Sequence, residues 1–203
     1  MSDASLTLAI DTAAPRLQLA LGHGAERIET LIEPIATGHA ERIFSAIDAL
    51  MARLGVGYGD LARLVVTTGP GSFTGLRIGI SAARGIALAR GRPIVGVPSL
   101  LALSLSAPAG APVDVLLDAR RGEAYFQRFS APGVPESSAQ LLSMDVAQAQ
   151  LRPGVHRIES PFVDIAAVLV HGLTLDPLRS PPDPAYIREA DAKPQTDKRI
   201  ERR

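Results

Sequence analysis

The chain has 203 residues, and its 21 Lys+Arg balance 21 Asp+Glu, so its charge gives no reason to expect independent binding to nucleic acid. With 46% apolar and 21% charged residues it is globular and long enough to bury a sizeable core, as one large domain or two small ones. Cysteine is absent, which excludes a disulfide framework and thiolate metal sites; no basic segment followed by an apolar one opens the chain and no apolar run approaches membrane-spanning length, so the expectation is a soluble cytoplasmic protein.

Leu6 to Asp11 is an apolar run ending in an acid, followed by the turn Thr12-Ala13-Ala14-Pro15. Leu17, Leu19 and Leu21 then alternate with smaller or polar residues, as in a half-buried strand, and Arg27 to Glu33 gives a third strand. The result is a β-meander with Asp11 in its first turn; taken by itself, such an acid is more often a turn cap than a ligand. His39 to Leu54 is a helix with Ile43, Phe44, Ile47, Leu50, Met51 and Leu54 on one side and Glu41, Arg42, Asp48 and Arg53 on the other. Gly55 and Gly57 stop it, and His39, with no second ligand one turn on, reads as structural.

Arg63 to Thr68 is the fourth strand, and Leu76 to Arg90 has the composition of a helix. Between them Gly69-Pro70-Gly71-Ser72-Phe73-Thr74 forms a turn in which Ser72 or Thr74 can cap the helix. A glycine turn opening a helix invites a phosphate. The spacing argues against it: there is no Gly-Lys-Ser/Thr, Thr74 stands where a dinucleotide motif needs its third glycine, and Pro70 removes a donor. Gly75, Gly79, Ala83 and Ala87 recur every four residues and form one stripe. That stripe suits packing against the chain's own sheet or a neighbouring helix, or a helix-to-helix dimer contact.

Ile94 to Val97 is the fifth strand, and Ser106 to Pro112 is a proline- and glycine-rich linker. Val113 to Asp118 again runs apolar into an acid, with a turn and strand to Phe129, so the strand-Asp-turn-strand design at Asp11 recurs at Asp118. Short elements follow: a helix from Met144 to Leu151, a strand from Val155 to Ile158 and a helix from Phe162 to His171. The expected organisation is a first lobe over residues 1–107, a smaller lobe over 108–190 and a disordered charged tail over 191–203.

The eleven residues Gly69-Pro70-Gly71-Ser72-Phe73-Thr74-Gly75-Leu76-Arg77-Ile78-Gly79 resemble the signature of the TsaB (YeaZ) family, the bacterial partner subunits for threonylcarbamoyladenosine modification of transfer RNA. The Thr37-Gly38-His39 segment, the string Asp118-Ala119-Arg120-Arg121-Gly122-Glu123 and the closing Pro184-Ala185-Tyr186-Ile187-Arg188 resemble that family too. The resemblance implies an α/β, actin/Hsp70-like (ASKHA) two-lobe fold with a trimmed second lobe. It implies a two-fold homodimer, formed by the helix after the signature through Gly75, Leu76, Gly79, Ile80, Ala83, Ile86 and Ala87. The same helix would receive a TsaD-type catalytic subunit, with a TsaE-type ATPase as a further partner, transfer RNA reached only through the complex, and no membrane. In nucleotide-binding proteins of this fold the acids corresponding to Asp11 and Asp118 face a phosphate–metal group, which makes these two the cofactor candidates.

Two departures weigh against chemistry by this chain itself. TsaD-type transferases carry a metal-binding histidine pair after the fifth strand; here Ser99 and Leu103 stand in those places, and His23, His39, His156 and His171 are scattered, so no metal and no cofactor is expected. Where nucleotide enzymes of the fold have glycines after the second acid, this chain has Ala119-Arg120-Arg121, whose two cations could attract an anion or form a solvated turn but are read here as a docking surface. The reading is a non-catalytic scaffold subunit. The alternative, a stand-alone nucleotide hydrolase or peptidase, lacks a phosphate-loop lysine, a cysteine and a Gly-x-Ser-x-Gly elbow.

Overall fold

The computed structural model describes residues 5–185 and 187. Three antiparallel strands open it, β1 (Leu6–Asp11), β2 (Arg16–His23) and β3 (Arg27–Pro34), followed by helix α1 (His39–Leu54). Strand β4 (Leu61–Thr67), helix α2 (Phe73–Arg90) and strand β5 (Ile94–Val97) complete a five-stranded sheet of order β3-β2-β1-β4-β5, in which β4 runs parallel to β1 and β5 parallel to β4. Helix α3 (Ser99–Ser104) leads to the second sheet.

That sheet is built on the hairpin of β6 (Val113–Arg120) and β7 (Glu123–Ala131). It adds β8 (Val134–Pro135) and β9 (Gln140–Ser143), both against β7. After helix α4 (Met144–Ala149), strand β10 (His156–Ile158) joins β6 in parallel, and helix α5 (Ile165–Leu173) follows.

Side-chain alternation splits the first sheet's two faces. Leu8, Ile10, Leu19, Leu64 and Val66 point to one side, where α1 and α2 cover them with Ile43, Ile47, Leu76 and Ile80. Ala9, Ala20 and Val65 point to the other, where they meet Val163, Ile165, Val168 and Leu169 of α5 and its approach, together with Val113 and Val115 of the second sheet. β1 is buried on both faces, which is why it reads as a near-continuous apolar run.

The 106–112 linker separates the two sheets but not the cores. Helix α5 lies in the stretch expected to form the second lobe, yet it returns to the first sheet. Its Gly172 lies against Val65, and Arg63 donates to the carbonyls of Gly172 and Leu175, each at 2.9 Å. The 191–203 tail, and Tyr186 and Arg188 of the closing element, lie outside the described residues.

Helix α1 spans the expected residues and stops on Gly55, whose φ of 66° suits glycine at a helix end. Its side assignment needs one correction: Phe44, expected on the buried face, is 50% exposed. No helix among the described residues is long and apolar enough to cross a membrane.

Candidate functional site

Strand β4 delivers the chain into the signature turn, where Gly69 adopts a φ of 103° and the Gly69–Pro70 peptide is cis. Ser72, rather than Thr74, caps α2: its Oγ accepts from the amide of Gly75 at 3.2 Å. The turn and the first two turns of the helix press on the dipeptide Thr12-Ala13 that follows β1. Ser72 N–H donates to the carbonyl of Ala13 at 2.7 Å, and the Thr12 hydroxyl donates to the carbonyl of Gly75 at 2.7 Å. A Cβ at Gly71 would lie 2.7 Å from the Ala13 oxygen, one at Gly75 would strike the Thr12 carbonyl oxygen, and one at Gly79 the Thr12 hydroxyl.

The stripe therefore faces inward. Gly75, Leu76, Gly79, Ile80, Ala83, Ile86 and Ala87 are all buried within the single chain. Of the two readings the spacing allowed, packing within the chain describes them: these seven, expected to form a subunit interface, are buried by the chain's own structure. Spacing located the stripe but carried no information about which backbone would fill it.

The outer flank of α2 has a different character. Phe73 is 54% exposed with Arg77 stacked on its ring at 3.8 Å, and Ile78 is partly buried at the seam with α1. These residues, with Ile43, Phe44 and Ala82, line an open groove of about 540 Å³ between the two helices. Beyond Phe44 the same face continues as a second hollow of about 650 Å³, floored by Gly85 and Ala89 and walled by Tyr58 and Arg90. Tyr58 is held there by its hydroxyl, which donates to Asp48 at 2.8 Å, and by Arg90, whose Nε donates to the Tyr58 carbonyl. Sequence periodicity could not find this surface, because it counted Phe44 among the core residues.

Asp11 is 1% exposed. Its carboxylate accepts from Thr67 Oγ1 at 2.5 Å, Gln18 Nε2 at 3.0 Å and Ala13 N–H at 3.3 Å, so three protein donors occupy the oxygens that a metal or phosphate-bound water would need. Burial pushes its pKa above the ordinary carboxylate value, an effect only partly offset by the bonds from Thr67, Gln18 and Ala13 and by the nearby His39. Arg16, at the start of β2, stacks on Phe162 at 3.5 Å and joins the first hairpin to the segment leading into α5.

Asp118 lies apart from this cluster. It is exposed at the end of β6 and accepts from the amide of Arg120 at 2.7 Å, which is the turn-capping role. Arg120 and Arg121 hold φ values of 66° and 56° in that hairpin.

Ser99 and Leu103 are both buried. Ser99 Oγ accepts from Gly69 N–H at 3.1 Å while its own amide donates to the Gly69 carbonyl at 2.7 Å, so the serine secures the signature turn; Leu103 packs in the core between the sheets. Among the described residues no group of three His, Asp or Glu side chains is placed to hold a metal.

Comparison with known proteins agrees with this geometry. The model of the family described as TsaD: tRNA N6-adenosine threonylcarbamoyltransferase matches residues 33–138. The tRNA threonylcarbamoyladenosine biosynthesis protein TsaB of Escherichia coli K12 is 34% identical over 125 residues, covering 60% of this chain and 54% of that protein. The chain thus spans about half the length of the curated TsaB relatives it matches. An uncharacterized protein of Mycobacterium tuberculosis H37Rv is 32% identical over 205 residues, covering 94% of this chain and 95% of that one. The solved structure of YeaZ from Pseudomonas aeruginosa superposes with a TM-score of 0.75 at 23% identity, covering 90% of this chain and 99% of that one, and has the same actin/Hsp70-like α/β fold. From the signature turn, the matched family model and these relatives, the chain belongs to the TsaB/YeaZ family of tRNA threonylcarbamoyladenosine biosynthesis proteins.

Proposed function

We propose that this protein is a non-catalytic dimerisation and scaffold subunit of the cytoplasmic assembly that places a threonylcarbamoyl group on transfer RNA, and that the outer face of α1 and α2 receives a TsaD-type catalytic subunit. The observation that carries the reading is the contrast between two places. The apolar groove beside Phe44 and Phe73 is open, while Asp11, the residue a nucleotide enzyme of this fold would use, is closed off by Thr67, Gln18 and Ala13. Helices of 16 and 18 residues present a face about 24–27 Å long, on the scale of a specific interface.

In the absence of the catalytic subunit the same face closes on a second copy, since a two-fold contact uses one patch twice. Phe44 stands as a ridge between two hollows, a shape that a like ridge from the partner can straddle. A TsaE-type ATPase joins the assembly, and transfer RNA is reached through the complex. The stand-alone hydrolase reading needs an Asp11 that solvent and ligand can reach.

The test is co-purification of the wild type and of Phe44→Asp with the host's TsaD-type subunit, followed by the modification assay with and without each. The wild type is expected to bind and to restore modification; Phe44→Asp is expected to melt normally and to bind at least tenfold more weakly. A Phe44→Asp variant that binds and supports modification like the wild type would move the interface elsewhere.

A further inference from the structure

A helix packed on a sheet can shift along its axis by one turn, about 5.4 Å, and still bury the same apolar face. The apolar pattern of α2 opposes such a slip, and a pin filling the notches at Gly75 and Gly79 would fix the register at the strand end as well. We propose that Thr12 is that pin: a positioning residue whose hydroxyl and carbonyl seat α2 in one register and thereby set the shape of the groove it forms with α1. The inference rests on the reading of that groove as an association surface.

Thr12 is 1% exposed, held between the buried end of β1 and the helix. Its hydroxyl gives the Gly75 carbonyl a second donor beyond the helix's own bond, and the same hydroxyl fills the notch left by Gly79. Its carbonyl oxygen lies against Gly75, and Ala13 fills the space at Gly71 while accepting from Ser72. Two glycines four residues apart therefore receive two oxygens of a single residue.

Moving the helix by one turn toward its own N-terminus would put Ala83 where Gly79 now stands, and its methyl would meet the Thr12 hydroxyl. The same move would carry Arg84 to the place of the buried Ile80 and Arg90 to that of Ile86, so Thr12 acts together with the apolar pattern of α2 and adds the contact at the end of β1. The outer residues Phe73, Ile78 and Ala82 lie opposite Phe44 only as long as the register holds. None of the atoms of Thr12 is part of the groove lining.

The experiment compares Thr12→Val, which keeps the branched shape and loses the donor, with Thr12→Ser, which keeps the donor, in the full chain. Self-association by sedimentation equilibrium and binding to the TsaD-type subunit are measured alongside melting. Thr12→Val is expected to remain folded at the assay temperature and to associate at least fivefold more weakly, and Thr12→Ser to return within about twofold of wild type. Wild-type association by a folded Thr12→Val overturns the pin, as does a Thr12→Ser no better than Thr12→Val.

If Thr12→Val does not fold, Thr12→Ala paired with Gly79→Ala takes its place, since the new methyl fills the space the hydroxyl leaves. Folding with wild-type association in that pair again overturns the pin. Phe44→Asp separates the two ideas. Loss of association in Phe44→Asp but not in the Thr12 variants overturns the pin alone; loss in the Thr12 variants but not in Phe44→Asp keeps the pin and moves the surface it serves.

Discussion

Thr67 donates its hydroxyl proton to the Asp11 carboxylate at 2.5 Å, tying the end of β4 to the end of β1 at the point where the chain leaves for the signature turn. With Gln18 on the other oxygen, the acid connects three neighbouring strands. In a nucleotide enzyme such an acid faces an open cleft. Here the face of the sheet that carries it is covered by α5 and the second sheet, so the carboxylate works as a structural fastening.

Replacing Asp11 by Asn should therefore leave a folded protein with a changed pH dependence. The folded value of Asp11 is raised above 3.8, so the folded chain retains a proton that the unfolded chain releases. The stability this contributes is fully present below about pH 4 and is lost as pH rises through the folded value. Asn cannot ionise, and Thr67 can turn its hydroxyl to accept from the new amide. The melting temperature of Asp11→Asn minus that of wild type should grow from pH 4 to pH 7, by roughly 2–4 °C for each kcal/mol in a chain of this size. A difference that shrinks over that range would mean that the charge stabilises the fold.

Much of the first sheet and its helices was legible because their patterns are local. β1 shows as an apolar run broken only by Thr7 and ended by Asp11, since both faces are covered, and α1 spans the expected His39–Leu54 because its period and its terminal Gly55 agree. The repeat of strand, acid, turn and strand correctly marks the β6–β7 hairpin. What escaped depends on contacts between distant segments. The stripe at Gly75 and Gly79 gives a spacing, but only Thr12, more than sixty residues away, says that it is filled from inside. Helix α3 has six residues, too few for a periodicity to register, and β8 and β9 are shorter still. The groove was hidden by Phe44, whose place in the apolar pattern of α1 is the same whether it is covered by this chain or by another.

Gly79→Leu and Gly85→Ala should have opposite effects on stability although they lie on one helix. A side chain at Gly79 meets the Thr12 hydroxyl, and overpacking of that kind costs about 1–3 kcal/mol. Gly85 faces open space, so Ala there gains roughly 0.8–1.0 kcal/mol of helix propensity without a clash. Thermal melting of the two variants decides the matter. A Gly79→Leu protein that melts with the wild type and merely dissociates would restore the stripe to the surface.

Purified protein should carry well below one equivalent of zinc or iron, and its ATP turnover should stay at background. The hydroxyl of Ser99 is engaged with Gly69 and the Leu103 side chain is core, so neither position can contribute to a histidine-type metal site. Elemental analysis at one metal per chain, or turnover abolished by Asp11→Asn, would contradict the scaffold reading.

The last expectation concerns the segment from Ser180 to Ala185, which follows α5 and belongs to neither sheet. Gly96 of β5 donates its amide to the Ser180 carbonyl at 2.8 Å, and Ala185 donates to the Thr68 carbonyl at 2.8 Å. Between those points Arg84 of α2 reaches the Pro182 carbonyl at 3.0 Å and Asp183 at 2.6 Å. The segment thus covers the outer edge of β5 and holds the start of the signature turn and the middle of α2 from the side away from α1. Room for it comes from Gly96, where a Cβ would lie 2.5 Å from the Pro181 oxygen and 2.9 Å from the Pro182 Cα. Gly96→Val should push the segment off, lower the melting temperature by several degrees and speed tryptic cleavage at Arg179, whose side chain is already 89% exposed. Asp183→Ala cuts only a solvent-exposed ion pair, which is worth about 1 kcal/mol or less, so it should change melting and cleavage little. If Gly96→Val matched the wild type in both, the segment would be a passive cover; if Asp183→Ala matched Gly96→Val, the ion pair rather than the backbone pairing would be its main anchor.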